Sequence, residues 1–448
     1  MTKNSLNESI QRKDAKICVI GLGQVGLPTA LTFCKAGFTV IGSDIDNKLL
    51  STINSKKSPF EEPGLDDLLQ RCINSQKFAT TDQVGEAVKN SDVIIVCVAT
   101  PLTDDIRPNL LYLEKACISI SEFSLLNKLV VIESSIPPGT FEELVIPILT
   151  KKNKLGSEFW IVFVPERLAP GQAFTDIQNT PRVIGFIDEN SGIIAKALYE
   201  KIVNAEILLT SVRIAEISKL VENTFRDVNV ALANEVGIIC ESYGTDVDEL
   251  IRVCNSHPRV KLLQPGPGVG GPCLPKDPYL LLNPQGKQPI SSRIILDSRS
   301  INDSMPDHVV NLIKESLGIQ NKMLTGTSIL VLGVAYKANV SDTRLSPAKE
   351  VICQLIKNGS VVRVFDPNTT ESFGGETVSE IWKALSMSDV LVVLTDHDVF
   401  KKLNLKQIQK TMKRNPIIVD TRRIFNRNEA EDLGIEYVAV GYVGKIKT

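Results

Sequence analysis

The sequence has few histidines and no closely spaced cysteine pair. Only three histidines occur, and the nine cysteines are scattered without any C-x-x-C motif. Structural zinc sites are usually built from such pairs together with histidines, so we expect no metal site. An odd number of scattered cysteines also fits reduced thiols in a reducing compartment better than a disulfide framework.

Long apolar runs and blocks of one charge are also absent. No stretch reaches the roughly 20 apolar residues that span a bilayer, and the polar first fifteen residues lack the apolar core of a signal peptide. We therefore expect a cytoplasmic protein without a membrane partner, frayed over those fifteen residues. A formal net charge of -2 and the lack of a long basic run disfavour nucleic acid as the main partner.

The chain does have the size and composition of a multidomain globular protein. Its 448 residues are 43% hydrophobic and 23% charged, which is ordinary for a folded protein but too long for one compact core. Two or three domains are therefore expected.

A dinucleotide-binding fingerprint lies near the N-terminus. A short apolar strand, 17–20, runs into a glycine-rich turn and a helix over 27–36, and a second strand at 39–42 is followed by an acid. In such a unit the glycines let the pyrophosphate approach the helix N-terminus, and the acid binds the ribose hydroxyls. The acid favours NAD over NADP, and the predicted cofactor-binding residues are Gly21, Gly23, Gln24, Val25, Gly26 and Asp44.

Three further strands are predicted at 93–98, 129–133 and 159–164. In open parallel sheets, ligands bind beyond the carboxyl ends of the strands. We expect the cofactor and substrate at the turns that follow these strands, although each turn alone could be a plain loop. The turns are Thr100-Pro101, Ser134-Ser135 and Pro165-Glu166-Arg167.

A long amphipathic helix is predicted over 213–243, ending at Gly244. Lys219, Asn223 and Arg226 fall at i, i+4 and i+7 on one face, which is either solvated surface or part of a functional site. The position of this stripe shortly before a cysteine loop favours the functional interpretation. Apolar residues recur on another face: Ile214, Ile217, Leu220, Val221, Phe225, Val228, Leu232 and Val236.

A glycine- and proline-rich segment, 264–277, follows a second predicted helix at 247–255. This segment, the cysteine loop, reads Gln264-Pro-Gly-Pro-Gly-Val-Gly-Gly-Pro-Cys273-Leu-Pro-Lys276-Asp277. Its composition excludes a helix and lets the backbone approach a ligand closely. A neighbouring ammonium group lowers the pKa of a thiol and so favours the nucleophilic thiolate. Cys273 is therefore a candidate nucleophile, the alternative being a small apolar plug.

A helix over 294–317 precedes a second α/β region, with strands at 328–333, 361–365, 389–394 and 416–420 and a helix at 346–357. Gly333-Val-Ala-Tyr336-Lys337 replaces the full glycine fingerprint. We expect this Rossmann-like domain to bind a phosphorylated ligand without being a second NAD site. Its candidate cations, each alternatively a surface charge, are Lys337, Arg344 and Arg422.

Together these motifs resemble the UDP-sugar 6-dehydrogenase family over nearly the whole chain. The resemblance implies an α/β fold with two Rossmann-like domains joined by a central helical dimerisation region. The expected domains are an NAD-binding domain at 1–210, a helical domain with the catalytic cysteine loop at 211–320, and a UDP-sugar-binding domain at 321–448. The matching motifs are the fingerprint, Ser134-Ser-Ile-Pro-Pro-Gly-Thr140, the proline-glutamate turn, Lys219 and Asn223, the cysteine loop, and Tyr336-Lys337 with Asp342-Thr-Arg344.

The motifs that distinguish the substrate branches of this family do not all agree. Pro165-Glu-Arg-Leu-Ala-Pro-Gly171, Asn223-Thr-Phe-Arg-Asp-Val-Asn229 and His257-Pro-Arg259-Val resemble the branch that oxidises UDP-N-acetylhexosamines, UDP-N-acetylmannosamine above all. Pro272 and the segment 274–277 are closer to the UDP-glucose pattern. UDP-N-acetylglucosamine and UDP-glucose therefore stay open as alternatives.

The resemblance also implies a mechanism, a four-electron oxidation at sugar carbon 6 with two NAD molecules. Cys273 would attack the intermediate aldehyde and carry a thiohemiacetal and then a thioester, which water hydrolyses. Lys219 would take the alcohol proton, with Asn223 as a hydrogen-bond donor. Glu166 and Asp277 would orient or activate the water.

The resemblance assigns binding residues as well. Besides the fingerprint, NAD would be contacted by Thr100, Ser135, Lys276 and Arg344. In the expected homodimer or higher homo-oligomer, the central helices form the interface and Arg259 would serve a neighbouring subunit. The sugar and diphosphate would be held, along with Lys219 and Asn223, by Arg167, Leu168, Arg226, His257, Arg259, Gly270, Tyr336, Lys337 and Arg422.

Two rival functions are weaker. A two-electron hydroxyacid dehydrogenase shares the fingerprint and a lysine-asparagine helix pair, but it needs neither the cysteine loop nor a C-terminal α/β domain. A non-catalytic nucleotide-sugar sensor could use the same fold, and NAD turnover would exclude it.

Overall fold

The computed structural model describes residues 3–444 of the chain. The chain divides into two compact units. The N-terminal unit comprises Met1–Glu222 with Lys276–Ser291, and the C-terminal unit comprises Asn223–Pro275 with Ser292–Thr448. The division falls inside one long helix and again inside the cysteine loop.

The N-terminal unit is an alternation of strands and helices. Its strands are β1 Lys16–Ile20, β2 Thr39–Ser43, β3 Phe78–Thr81, β4 Val93–Val96, β5 Lys128–Ile132, β6 Phe159–Phe163, β7 Arg182–Phe186 and β8 Ile207–Ser211. Its helices are α1 Lys3–Arg12, α2 Gly26–Lys35, α3 Asn47–Asn54, α4 Leu65–Asn74, α5 Val84–Lys89, α6 Leu111–Ser121, α7 Ile146–Leu149, α8 Ala173–Asn179 and α9 Glu189–Tyr199, with a π-helical turn at Phe141–Val145 before α7.

The remaining elements follow from the long helix onward. The helices are α10 Val212–Ser242, α11 Val247–Cys254, α12 Asp277–Leu282, α13 Arg293–Ile319, α14 Pro347–Lys357, α15 Ile381–Ser386, α16 Leu405–Thr411 and α17 Arg427–Asp432, with a 3-10 turn at Phe400–Lys402. The strands are β9 Ser328–Leu332, β10 Val361–Phe365, β11 Glu376–Thr377, β12 Val390–Val393, β13 Ile417–Asp420 and β14 Glu436–Val438.

The eight strands of the N-terminal unit form one sheet in the order β3-β2-β1-β4-β5-β6-β7-β8. The first six follow the doubly wound order of dinucleotide-binding folds. All neighbours pair in parallel except β6 and β7, which are antiparallel. Successive residues of β1 join different apolar clusters, Ile17 and Val19 one and Cys18 and Ile20 the other, because strand side chains alternate between two faces and both faces are covered.

The six strands of the C-terminal unit form a fully parallel sheet, in the order β11-β10-β9-β12-β13-β14. Strand β9 again alternates, with Ile329 and Val331 in one apolar cluster and Leu330 and Leu332 in another. This unit is thus a second doubly wound sheet with helices on both faces. The carboxyl ends of β9, β10 and β12 lie at neighbouring positions of one sheet edge.

The predicted fold class is confirmed: two Rossmann-like sheets accompany a helical region that contains α10, α11 and α13. Every strand and helix placed from the sequence exists, with ends within two residues of the prediction. Within residues 3–444, no helix has the length and apolarity needed to cross a membrane.

The expectation that residues 1–15 are frayed is wrong for the part that the structure describes. Helix α1 covers Lys3–Arg12 and packs against α9. Leu6 and Ile10, one helical turn apart, are both buried in the core of the N-terminal unit. Two well-placed apolar residues were enough to fix a segment whose overall composition is polar, and residues 1 and 2 lie outside the described range.

Candidate active site

The glycine turn after β1 has the shape that a bound dinucleotide needs. Gly21 has φ +90°, and a Cβ there would lie 2.7 Å from the carbonyl oxygen of Cys97. A Cβ at Gly26 would lie 1.8 Å from the carbonyl oxygen of Gly21, whereas a Cβ at Gly23 would meet nothing within 4 Å. Gly21 and Gly26 therefore shape the turn, and Gly23 leaves open space for the close approach of a pyrophosphate. Gln24 and Val25 complete the turn, and these residues fit NAD.

Asp44 lies beside this turn, at the carboxyl end of β2. Its Oδ2 accepts a hydrogen bond from the Leu22 amide at 2.7 Å, and its Oδ1 accepts one from the Asp46 amide at 3.0 Å. An ionised carboxylate can accept about four hydrogen bonds, so acceptor capacity is left for ribose hydroxyls.

The turns after β4 and β5 are joined directly. The Thr100 hydroxyl donates to the carbonyl oxygen of Ser135 at 2.6 Å, and the Ser134 hydroxyl donates to that of Val98 at 2.8 Å. Further along the second turn, the buried Glu216 carboxylate of α10 accepts from the amides of Gly139 and Phe141 at 2.7 and 3.0 Å. Thr100 and Ser135 thus lie together at the carboxyl ends of β4 and β5, in turns that these hydrogen bonds hold in place.

Glu166, in the turn after β6, lies in a buried polar cluster that the sequence analysis did not find. The cluster contains Glu166, Arg182, Glu133, Tyr199 and Cys97. Arg182 donates to Glu166 Oε2 at 2.7 Å. Tyr199 and Cys97 donate to the two oxygens of Glu133 at 2.6 and 3.2 Å, and the Arg182 guanidinium lies 5.5 Å from the Tyr199 ring centre. The Arg182 guanidinium thus pairs with Glu166, while Tyr199 and Cys97 bind the second buried carboxyl group, that of Glu133.

Burial, together with the nearby Glu166, raises the pKa of Glu133 to about 7 from the ordinary value of 4.5. Between pH 4.5 and about 7, Glu133 is therefore protonated in the folded protein and ionised in the unfolded chain. The free energy of unfolding that Glu133 contributes falls as pH rises through this window. We expect Glu133→Gln, which cannot ionise, to lose less stability than the wild type between pH 5 and pH 8. Denaturant unfolding at both pH values measures this difference, and equal pH dependence in both proteins would contradict it.

Most of the other proposed site residues in the N-terminal unit already make polar or apolar contacts with the protein. Arg167 donates to the carbonyl oxygen of Pro181 at 3.0 Å and pairs with Glu222, while Leu168 packs at the edge of the apolar core. Lys276 Nζ lies 2.9 Å from Oδ1 of the fully buried Asp277. Lys219 on α10 is only 9% exposed.

The polar stripe on α10 is not ordinary solvated surface. Asn223, four residues after Lys219, is also buried, at 7% exposure, whereas Arg226 is exposed. The burial of Lys219 and Asn223 therefore excludes the interpretation of this pair as solvated surface.

In the C-terminal unit, Cys273 is exposed, so the alternative that it is a buried apolar plug is wrong. The loop before it packs on Tyr336. A Cβ at Gly271, where φ is +90°, would lie 2.7 Å from the Tyr336 ring, and one at Gly270 would lie 2.8 Å from the Tyr336 Cβ. The Gly271 amide also donates to the carbonyl oxygen of Arg344 at 3.0 Å. Glycines thus let the cysteine loop lie directly on the segment 336–344.

Tyr336 stays neutral in this environment. Burial, with smaller effects from Asp342 and Cys273, raises the pKa of the Tyr336 phenol to about 12. The neutral hydroxyl can both donate and accept a hydrogen bond.

A second buried network anchors the start of the cysteine loop. Arg299 and Asn302 of α13 donate to Asp227 Oδ1 at 2.5 and 2.9 Å. The Asn234 side chain then donates to Asn302 at 2.9 Å and accepts from the Gly266 amide at 2.9 Å. The network ties α10, α13 and the loop together. Its hydrogen-bonded partners lie between 32 and 75 residues apart along the chain, so no sequence motif marks the network.

The other proposed substrate residues of this unit differ in their surroundings. Arg344 makes a two-pronged ion pair with Asp342, at 2.9 and 2.6 Å, and Arg422 donates twice to Asp396 Oδ1, at 3.0 and 2.8 Å. Lys337 is half-buried, while His257 and Arg259 are exposed just after α11. The structure therefore groups Gly270, Cys273, Tyr336 and Arg344 closely. His257 and Arg259 lie apart from this group in sequence, on the segment between α11 and the cysteine loop.

Comparison with known protein families gives three consecutive matches. Residues 15–203 match the NAD binding domain of the UDP-glucose/GDP-mannose dehydrogenase family, residues 213–304 its central domain, and residues 330–427 its UDP binding domain. Together they span most of the chain. The fingerprint turn at 21–26 lies within the first match and the Tyr336 segment within the third.

Individual relatives agree. The chain is 41% identical to a UDP-N-acetyl-D-mannosamine dehydrogenase of Pyrococcus horikoshii over 91% of this chain and 96% of the relative. It is 33% identical to an NDP-N-acetyl-D-galactosaminuronic acid dehydrogenase of Ralstonia solanacearum over 94% and 99%. A solved structure of the UDP-D-ManNAc dehydrogenase of Pyrococcus horikoshii superposes with a TM-score of 0.88 at 39% identity, covering 95% of this chain and 99% of that one. The chain therefore belongs to the UDP-glucose/GDP-mannose dehydrogenase family, whose members are NAD-dependent nucleotide-sugar dehydrogenases.

Proposed function

We propose that the chain oxidises carbon 6 of a UDP-N-acetylhexosamine, most specifically UDP-N-acetyl-D-mannosamine, to the corresponding uronic acid. The observation that carries the proposal is the exposed thiol of Cys273, which follows glycines packed against Tyr336 of the UDP-binding domain. A dehydrogenase that stopped at the aldehyde would need no such nucleophile. The names of the relatives support an N-acetylhexosamine as the sugar.

The full reaction converts a primary alcohol and one water into a carboxylate. When bound, NAD supplies the acceptor for one hydride in each of two oxidations, and three protons are released in total. The Cys273 thiolate adds to the aldehyde carbon and forms a carbon–sulfur bond, which gives a thiohemiacetal. After the second oxidation the resulting thioester is cleaved by water, which restores the thiol and releases the acid.

The proposed roles of the other residues follow from their chemistry. Lys219 in its unprotonated form accepts the alcohol proton and then, as an ammonium, stabilises the oxyanion, and Asn223 donates a hydrogen bond to the same oxygen. Glu166 and Asp277 orient the water. Each carboxylate already lies against a cation, Glu166 against Arg182 and Asp277 against Lys276, which fixes its orientation.

The proposed binding residues divide by ligand. NAD is assigned to the fingerprint, Asp44, Thr100, Ser135, Lys276 and Arg344. The sugar and diphosphate are assigned to Arg167, Leu168, Lys219, Asn223, Arg226, His257, Arg259, Gly270, Tyr336, Lys337 and Arg422. Arg344 pairs with Asp342, and Arg422 pairs with Asp396. These ion pairs orient the two guanidinium groups, and each carboxylate offsets part of the positive potential that the guanidinium presents to a ligand.

The domain limits and the assembly belong to the same proposal. We assign the NAD-binding, helical and UDP-sugar-binding domains to 1–210, 211–320 and 321–448. Exposed apolar residues along α10, such as Ile214, Phe225 and Leu232 at 56%, 67% and 46% exposure, support a homodimer formed through this helix. We assign the homodimer to the cytoplasm. A sedimentation mass equal to one chain would contradict the dimer.

The sugar specificity has a direct test. Purified protein is given NAD and, separately, UDP-N-acetylmannosamine, UDP-N-acetylglucosamine and UDP-glucose, and kcat/KM is measured for each. We expect the highest value with UDP-N-acetylmannosamine. A preference for UDP-glucose would instead agree with Pro272 and the segment 274–277, and absence of turnover with all three would favour the nucleotide-sugar sensor.

A further inference from the structure

The segment 333–339, which we term the Tyr-Lys loop, is held at the carboxyl ends of three neighbouring strands of the C-terminal sheet. It follows β9 and carries Tyr336 and Lys337. The amides of Val334 and Ala335 donate to Asp366 Oδ2 at 2.8 and 3.2 Å. Asp366 follows the last residue of β10, so the beginning of the loop is fastened to one neighbouring strand.

The end of the loop is fastened to the other neighbour by His397, which follows β12. The Asn339 amide donates to His397 Nδ1 at 2.9 Å, and His397 Nε2 lies 3.1 Å from Asp366 Oδ2. A backbone N–H can donate only to an unprotonated ring nitrogen. The ring hydrogen is therefore on Nε2, where it donates to Asp366, and the side-chain amide nitrogen of Asn368 also lies 3.3 Å from Nδ1.

His397 thus links the end of the Tyr-Lys loop to Asp366, which binds the beginning of the loop. It is 0% exposed, and its ring meets Phe400 edge-on with centres 5.4 Å apart. The Asn339 side chain adds a second fastening through Asp398, at 2.9 and 3.1 Å. Both ends of the Tyr-Lys loop therefore converge on one imidazole and one carboxylate.

The Tyr-Lys loop also contacts the cysteine loop. Gly270 and Gly271 lie within van der Waals distance of the Tyr336 side chain.

We propose that His397 is a positioning residue for the UDP-sugar: by accepting from Asn339 and donating to Asp366, it fixes the Tyr-Lys loop in the conformation that binds the nucleotide sugar. This inference deepens the proposed function and rests on UDP binding by the C-terminal domain. His397 itself contacts the loop backbone, so its effect is on affinity and not on the chemical step.

Two variants separate the two hydrogen bonds. The amide of asparagine can replace Nδ1 of a histidine, and that of glutamine can replace Nε2. His397→Asn therefore keeps the acceptor for the Asn339 amide, and His397→Gln keeps the donor to Asp366. We expect His397→Gln and His397→Ala to weaken UDP binding about tenfold or more, the loss of one hydrogen bond to a buried group, and His397→Asn to restore most of the affinity.

The measurement is the dissociation constant of UDP by calorimetry, with that of NAD as the control, followed by KM and kcat for the sugar. We expect the UDP constant and the sugar KM to rise together while NAD affinity and kcat stay within about twofold. Equal UDP affinity in all four proteins, or a parallel loss of NAD affinity, would overturn the role of His397 alone. Failure of the wild type to bind UDP would overturn the proposed function together with it.

Discussion

Replacement of Cys273 by alanine should abolish production of the uronic acid and leave the protein folded. The rate of acid formation should fall about ten-thousandfold or more, as when a covalent nucleophile is removed, because no thioester can then form. Cys273 is exposed, so little packing is lost, and the fingerprint that binds NAD lies in the other unit. Acid is measured by chromatography of the product, and NAD affinity by calorimetry.

The chain offers a matched control for this variant. Cys353 on α14 is also an exposed free cysteine, and its thiol only approaches the carbonyl oxygen of Phe373 at 3.8 Å. We expect Cys353→Ala to produce acid at the wild-type rate. Normal acid production by Cys273→Ala would remove Cys273 from the mechanism.

A single methyl group at Gly26 should destabilise the N-terminal unit even without cofactor. The added Cβ would lie 1.8 Å from the carbonyl oxygen of Gly21 and 3.1 Å from the Cys97 Cβ. Backbone must move to relieve the first of these contacts, so we expect Gly26→Ala to lower the free energy of unfolding by about 3 kcal/mol or more. Denaturant unfolding of the cofactor-free protein measures the change.

Gly23→Ala, in the same turn, should leave stability nearly unchanged and weaken NAD binding. Its Cβ would meet nothing within 4 Å, so stability should change by less than about 1 kcal/mol. The methyl group would instead occupy the space assigned to the pyrophosphate, and NAD affinity should fall about tenfold or more. Unchanged NAD affinity in Gly23→Ala, or unchanged stability in Gly26→Ala, would contradict the assignment of these two glycines.

The parts of the molecule that the sequence could predict depend on short spacing. The nine predicted strands, the fingerprint at 21–26 and the long helix α10 are periodic or local patterns, and each was placed within two residues. Strands β3, β7, β8, β11 and β14 were not predicted. The same holds for the lysine-asparagine pair one helical turn apart on α10. Even so, the antiparallel pairing of β6 with β7 was not expected, because nothing in either strand encodes its direction.

The buried polar networks could not be predicted, because their members are brought together only by the fold. Tyr199 and Glu133 are 66 residues apart, and Arg299 and Asp227 are 72 apart. From the sequence alone, Glu133 appears as the polar end of a strand and His397 as one polar residue in a turn. Their surroundings give each a defined partner and, for Glu133, a pKa of about 7.

The central claim is that one enzyme carries out two oxidations of the same carbon, and the yield of NADH per sugar tests it most directly. A limiting amount of UDP-N-acetylmannosamine is consumed to completion with excess NAD, and NADH and product are both quantified. Our account predicts two NADH per sugar and the uronic acid as the product. One NADH per sugar, with the aldehyde as the product, would contradict it.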